Sequence, residues 1–305
     1  MRIFENISYK FIQSRTKGYI FSGILIALSI VSLVSRGLEM GIDFRGGMEF
    51  VVETTEPLNV VQVREELAQV LTSTPEVKAY GDSELLIRAL DEGDINEIQN
   101  AITGGIASAF TDSNPRVLKT DIVGPRFAAD LKRGAIYSVF GSLLVIFVYI
   151  LIRFEWRFGL GAVAALFHDV IITLGVFSAL YGIVPFSMQI DQSIIAAFLT
   201  IVGYSLNDTV VIFDRIREYS NIYKTEAYGD MVNRSINHTL SRTVVTSGTT
   251  LLVVGTLFIF GGEVLRGFAF ALIIGILIGT YSSIFVASPV VVELRARAKA
   301  TGRRK

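Results

Sequence analysis

Residues Gln192–Phe213 read QSIIAAFLTIVGYSLNDTVVIF, an apolar stretch whose one charge is Asp208. A bilayer core about 30 Å thick takes roughly 20 helical residues at about 1.5 Å each, and this stretch is long enough to span one. Buried helices of soluble proteins carry shorter apolar segments, about 10–14 residues, with polar faces. Five more blocks follow the same pattern. Gly18–Ser35, Gly134–Ile152, Thr243–Gly262 and Gly267–Val292 carry no charge, and Phe158–Ile190 is broken only by His168-Asp169. Six such blocks predict six transmembrane helices. The first exceeds the usual 7–15-residue apolar region of a signal peptide, and no clean A-x-A site follows it, so a retained anchor is expected.

The bulk composition agrees. Of 305 residues, 51% are hydrophobic and 18% charged, with mean hydropathy +0.53 and no cysteine. Soluble chains are about 25% charged. A disordered chain, a disulfide scaffold and a thiolate metal site are excluded. The 28 Lys/Arg balance 28 Asp/Glu, and that neutrality gives no reason to expect a nucleic-acid partner. It is a cancellation: residues 37–133 hold 9 basic and 17 acidic residues, a net of 9 − 17 = −8, and the rest of the chain is +8.

Lys and Arg in short connections set orientation. Arg2, Lys10, Arg15 and Lys17 precede helix one, and Arg153 and Arg157 lie between helices two and three. Arg215, Arg217, Lys224, Arg234 and Arg242 lie between four and five, and six basic residues fill the tail from Arg295. The opposite connections hold Arg266 alone, a tally of 17 against 1 that predicts two cytoplasmic termini. The expected division is a cytoplasmic segment 1–17, helix one at 18–36, an outer domain 37–133, helices two to six across 134–292, and a cytoplasmic tail 293–305.

Within 37–133, strands are predicted at Met48–Glu53, Val77–Tyr80, Glu84–Ala89 and Val117–Val123, with helices at Val60–Leu71 and Ile95–Phe110. Asp94 reads as an N-cap with Glu97 completing a capping box. This β-α-β-β-α-β order is the split-βαβ, ferredoxin-like arrangement. The fold class is thus an α-helical polytopic membrane protein with one α+β insertion between helices one and two. The insertion contains no histidine and no catalytic constellation.

Charges inside a bilayer cost roughly 2.5–3.5 kcal/mol each on insertion scales. Asp208 lies late in helix four, either as a static ion-pair member or as a titrating carboxylate whose protonation a moving cation could switch. Arg242 at the start of helix five is the natural cation, or else an arginine snorkelling to the interface. Arg242, Thr246, Thr249 and Thr250 share one helical face, which could carry water or make interhelical hydrogen bonds. His168-Asp169 reads as a relay or as a polar packing knot. Gly275 and Gly279 form a GxxxG close-packing signal. An aspartyl intramembrane protease would need YD and GxGD contexts. Serine, zinc and P-loop motifs are also absent from the sequence, so no enzyme is expected.

Five stretches carry a family resemblance: GIDFRGG at Gly41–Gly47, GYSLNDTVVIFDRIRE at Gly203–Glu218, NRSINHTLSRTVVTSGTT at Asn233–Thr250, VGP at Val123–Pro125 and HDVII at His168–Ile172. Together these resemble the SecD/SecF family of protein-export membrane proteins, within the resistance–nodulation–division superfamily. The resemblance covers the full chain. It implies a multi-pass subunit of the bacterial cytoplasmic membrane paired with SecD, in contact with lipid and associated with the SecYEG channel, SecA and YidC. It also implies an exported polypeptide as substrate, protons as the coupling ion and no other cofactor. Asp208 and Arg242 would carry the proton pathway, with Asn207, Thr246, Thr249, His168 and Asp169 as further candidates. Gly41, Asp43, Arg45, Gly46 and Gly47 would form the family signature at the junction after helix one; by sequence they are a Gly-rich turn. A small-molecule exporter of the same superfamily and a passive translocon scaffold are the rival readings.

Overall fold

The computed structural model describes residues 8–89, 93–184 and 186–302. The chain forms α1 (Arg15–Ser35), α2 (Ile42–Arg45), β1 (Gly47–Glu53), α3 (Val60–Val70), β2 (Glu76–Ala79), β3 (Glu84–Ala89), α4 (Ile95–Ala109) and β4 (Arg116–Val123). Long helices follow: α5 (Pro125–Arg153), α6 (Trp156–Leu180), α7 (Gln192–Ile222), α8 (Tyr228–Phe260) and α9 (Gly262–Ser282). A π-helical turn at Ser283–Ala287 then leads into α10 (Ser288–Gly302). Two compact units result, one of residues 39–137 with 180–193, the other of 1–38, 138–179 and 194–305.

In the α+β unit the sheet order is β2-β3-β1-β4 and every pairing is antiparallel. Ile98, Ile102 and Ile106, spaced four apart on α4, meet Val63 and Leu67 of α3 over Phe50, Val52, Leu85 and Ile87 of the sheet. Each fully buried side chain of this size contributes about 1.5–3 kcal/mol, which a unit without disulfides requires. Asn59 and Asp94 cap α3 and α4 through side-chain oxygens that accept backbone N–H groups.

The third apolar block was expected to reach Ile190, but α6 ends at Leu180, just before Gly182 takes φ +73°, and residues 180–193 belong to this unit. Ile190 pairs with Met40 in a parallel bridge, and Gly41 N–H donates to the Ile190 carbonyl at 2.8 Å. Arg88 is buried beneath them. It donates to Glu49 at 2.6 Å, to Glu76 at 3.1 Å and to Gln189 at 2.5 Å. Tyr181 adds a bond to Glu76 at 3.1 Å. Burial alone would raise the Glu76 carboxyl, but its bond to Lys78 and the charges of Lys78 and Arg88 outweigh that. They hold it below the ordinary carboxylate value.

Among the described residues, six helical segments are long and apolar enough to cross a membrane: α1, α5, α6, α7, α8 and the run from Leu265 to Ala298. Helix α5 starts at Pro125, so residues 125–133, which the sequence reading gave to the insertion, are its first turns. Proline suits that first position because its missing N–H would have no helical partner. In the helical unit α6 and the run from Leu265 to Ala298 are the most buried, followed by α7, whereas Phe140, Val145 and Ile152 of α5 are widely exposed. A Cβ on Gly275 would lie 2.3 Å from Ile201 Cδ1, and one on Gly279 would lie 2.9 Å from Ser205 Cβ. The GxxxG pair thus presses α9 onto α7 at the level of the polar centre. Residues 9–13 are tied to α8 by Asn233 and Asn237: the Ile12 N–H donates to Asn233 Oδ1 at 2.8 Å and the Tyr9 N–H to Asn237 Oδ1 at 3.0 Å.

Candidate functional site

Asp208 lies on the inner face of α7 and is 3% exposed. Ser247 of α8 donates to its Oδ2 at 3.4 Å, and the same hydroxyl lies 2.7 Å from Thr280 Oγ1 of α9. The carboxylate is thus framed by three helices, and the Arg242 charge acts on it from α8. Arg242 lines a cavity of about 310 Å³ with Asp214, Arg215, Glu218, His238 and Thr239.

The other expected members of this site lie differently. Asn207 is exposed, one helical step of about 100° from Asp208. Thr249 is exposed and Thr246 half-buried, and both hydroxyls turn back onto carbonyls of their own helix, those of Val245 at 2.9 Å and Arg242 at 3.0 Å. Thr250 accepts a bond from Tyr204 at 3.3 Å. The α8 face that meets Asp208 is therefore the one carrying Thr243 and Ser247, both buried. Serine in an apolar helix was the available sequence signal for Ser247, but three neighbouring hydroxyls diluted it.

His168 and Asp169 are brought together with partners from three other helices. His168 Nδ1 and Asp169 Oδ1 are 2.9 Å apart, and His168 Nε2 is 3.0 Å from Ser22 Oγ of α1. Asp169 Oδ2 accepts Ser205 of α7 at 2.5 Å and Ser282 of α9 at 2.8 Å. Tyr281 stacks beside the imidazole. The run Thr280-Tyr281-Ser282-Ser283 therefore serves both acids: Thr280 reaches Ser247, Ser282 reaches Asp169, and Ser283 meets Thr209 at 2.8 Å. Four polar residues in a row within an apolar helix are a signal that the sequence reading passed over.

At the signature, Asp43 Oδ2 accepts the N–H of Gln192, the first residue of α7, at 2.8 Å. Arg45 pairs with Glu39 at 2.7 Å. Gly46 takes φ +78° and Gly47 φ +113°, and a Cβ on Gly46 would stand 3.1 Å from the Val123 carbonyl oxygen. Left-handed backbone and close approach both call for glycine here. Among the described residues, no group of three or more His, Cys, Asp and Glu could hold a metal ion.

Residues 106–297 match the family model described as protein export membrane protein SecD/SecF, C-terminal, and residues 31–57 match the SecD/SecF GG motif. The chain belongs to the SecD/SecF family. A protein translocase subunit SecF from Rhodothermus marinus is 69% identical over 303 residues, covering 99% of this chain and 98% of the relative. One from Desulfurispirillum indicum is 44% identical over 297 residues, 94% and 92% of the two chains. Among solved structures, SecDF from Thermus thermophilus, described as a translocon-associated membrane protein, is similar with TM-score 0.86 and 35% identity. That match covers 97% of this chain and 40% of the SecDF chain. A super-membrane-facing form of SecDF is similar with TM-score 0.71. With six spanning candidates and this family, the chain is a multi-pass membrane protein.

Proposed function

We propose that this chain is a SecF-type subunit of the protein translocase, pairing with a SecD-type partner and using proton flow to drive protein export. Its relatives bear the name protein translocase subunit SecF, and the chain accounts for 40% of the similar SecDF chain, which leaves room for a partner half. The observation that carries the proton reading is Asp208, a buried carboxylate that accepts from Ser247 and feels the charge of Arg242 from further along α8. An ionised Asp208 is stabilised by that hydroxyl and that charge; a protonated one gains nothing from the charge. Taking up and releasing one proton therefore changes what binds α7 to α8.

Asn207, Arg242 and Thr249 are exposed on this chain, and Thr246 partly so. Lipid cannot satisfy the Asn207 amide or the Arg242 guanidinium, whereas the two threonine hydroxyls already bond to carbonyls of α8 and lie beside them. We place them against the SecD-type partner, where they complete the proton pathway. Gly41, Asp43, Arg45, Gly46 and Gly47 act as the junction after α1, where Asp43 accepts the N–H of Gln192 at the start of α7. The sheet order β2-β3-β1-β4 supports a ferredoxin-like reading of the α+β unit, which we place outside a bacterial cytoplasmic membrane with both chain termini inside. SecYEG, SecA and YidC are further partners, the exported polypeptide is the substrate, the proton is the coupling ion, and no enzyme chemistry is involved. One charge crossing 100 mV is worth about 2.3 kcal/mol, enough for a few protons to drive a domain rearrangement.

The test is proton-gradient-dependent export with Asp208→Asn and with Arg242→Ala at matched membrane levels. Both should abolish the gradient-driven component. Undiminished export in both would refute proton coupling at this site and leave a scaffold role.

A further inference from the structure

The His168–Asp169 cluster carries a proton count of its own. Four contacts run in line. Tyr281 Oη donates to the Gly18 carbonyl at 2.8 Å and lies 3.1 Å from Ser22 Oγ. Ser22 Oγ is 3.0 Å from His168 Nε2, and His168 Nδ1 is 2.9 Å from Asp169 Oδ1. Each contact requires one hydrogen. A carbonyl has none to give, so the Tyr281 hydrogen goes to Gly18 and the Ser22 hydrogen goes to Tyr281. Both hydroxyls are then spent. His168 Nε2 must donate to Ser22, and one more hydrogen must lie between Nδ1 and Oδ1. A neutral imidazole beside an ionised carboxylate supplies one of these two; the pair must therefore hold both, and its net charge is zero.

The second carboxylate oxygen decides where the last hydrogen sits. Asp169 Oδ2 is the acceptor for Ser205 at 2.5 Å and Ser282 at 2.8 Å; the latter hydroxyl has a longer alternative in the Gly279 carbonyl at 3.1 Å. The 2.5 Å contact from Ser205 lies in the charge-assisted range, shorter than a hydroxyl makes to a neutral carbonyl, so this oxygen belongs to an ionised carboxylate. We infer that His168 is held as an imidazolium paired with ionised Asp169, and that the pair is a fixed lock joining α1, α6, α7 and α9 rather than a stage of the proton route.

The geometry of the chain of contacts supports the lock. Its far end is a peptide carbonyl, which accepts a hydrogen bond but hands no proton on. Tyr281 is half-buried and its other side chains are buried, with His168 4%, Asp169 1% and Ser22 5% exposed. A lone charge so deep would be costly, whereas a hydrogen-bonded neutral pair is tolerated. The groups facing the imidazole are Ser22 from α1, Asp169 from its own α6 and Tyr281 from α9, with Ser205 and Ser282 behind the carboxylate. Ser205 lies one turn before Asp208 on α7, and Ser282 lies two residues beyond Thr280 on α9. Asp169 therefore fixes two of the three helices that frame Asp208, and His168 and Asp169 are positioning residues.

The sequence contains two histidines, His168 and His238, so His238→Asn leaves one imidazole to observe. The full chain, ¹⁵N-labelled at histidine and embedded in lipid bilayers without a histidine tag, should show both ring nitrogens protonated at neutral pH. One protonated and one bare nitrogen would overturn the inference. The part played in transport rests on the proton reading above and has its own arm. The doubly neutral variant His168→Gln with Asp169→Asn, confirmed as folded, should denature at a lower temperature in lipid and export more slowly, with the pH profile of its remaining gradient-driven export unchanged. A shifted pH profile would make the pair a stage of the proton route and refute the lock. If instead Asp208→Asn exports normally, the proton reading fails while the nitrogen spectrum still tests the pair.

Discussion

Gly275→Ala is the smallest change that tests how α9 is seated on α7. The added methyl would lie 2.3 Å from both Cδ1 and Cγ1 of Ile201 and 2.7 Å from its Cγ2, well inside contact distance. Ile201 is 1% exposed and has little room to yield. Overpacking of this kind costs about 1–3 kcal/mol. Ile201→Ala alone removes the clashing atoms and leaves a hole, at about 2–5 kcal/mol. Combined, the new methyl enters the vacated space, and the double variant should be more stable than the sum of the singles by about 1–3 kcal/mol. Reversible denaturation of the four proteins in one detergent measures the cycle directly. Gly275→Ala as stable as the parent, or a strictly additive double variant, would refute the close packing of these helices.

Two further outcomes concern the edges of the molecule. Glu76 has a lowered folded-state value, so its contribution is present above the unfolded carboxylate value and is lost as pH falls through the lower one. Proteolysis within residues 180–193 should therefore rise on acidification below about pH 4, and Glu76→Gln should be cleaved readily already at neutral pH. Asn233→Ala removes the acceptor of the Ile12 N–H and a 2.6 Å bond to Gln13, leaving a buried donor unpaired at a cost of about 1–3 kcal/mol. Hydrogen exchange at residues 9–13 should accelerate while exchange in α6 stays unchanged.

The apolar blocks and the insertion's elements were legible because each depends on local pattern. β3 is found at Glu84–Ala89, where a strand was expected, and Asp94 caps α4. What lay beyond the sequence is mostly relational. Arg242, Thr246 and Thr249 share a helical face, but periodicity cannot say which face of α8 meets α7; Ser247 does. Adjacent His168 and Asp169 point about 100° apart on an ideal helix, and only a helix packed on several sides gives both buried partners. The attachment of residues 180–193 depends on Met40 and Arg88, more than ninety residues away. The start of α5 at Pro125 was masked by Arg126, Asp130, Lys132 and Arg133, charges that ended the apolar block without ending the helix.

The tie between Ile12 and Asn233 spans 221 positions of chain. Ribosomes add roughly 5–20 residues each second, so Asn233 emerges on the order of 10–40 s after Ile12. During that interval α1 is already made, while Phe11 and Ile12, buried in the finished protein, have no α8 to rest on. The segment is therefore among the last parts to settle although it is synthesised well before α8. A chaperone or insertion factor has a defined window in which to shield it, and that window closes when α8 arrives.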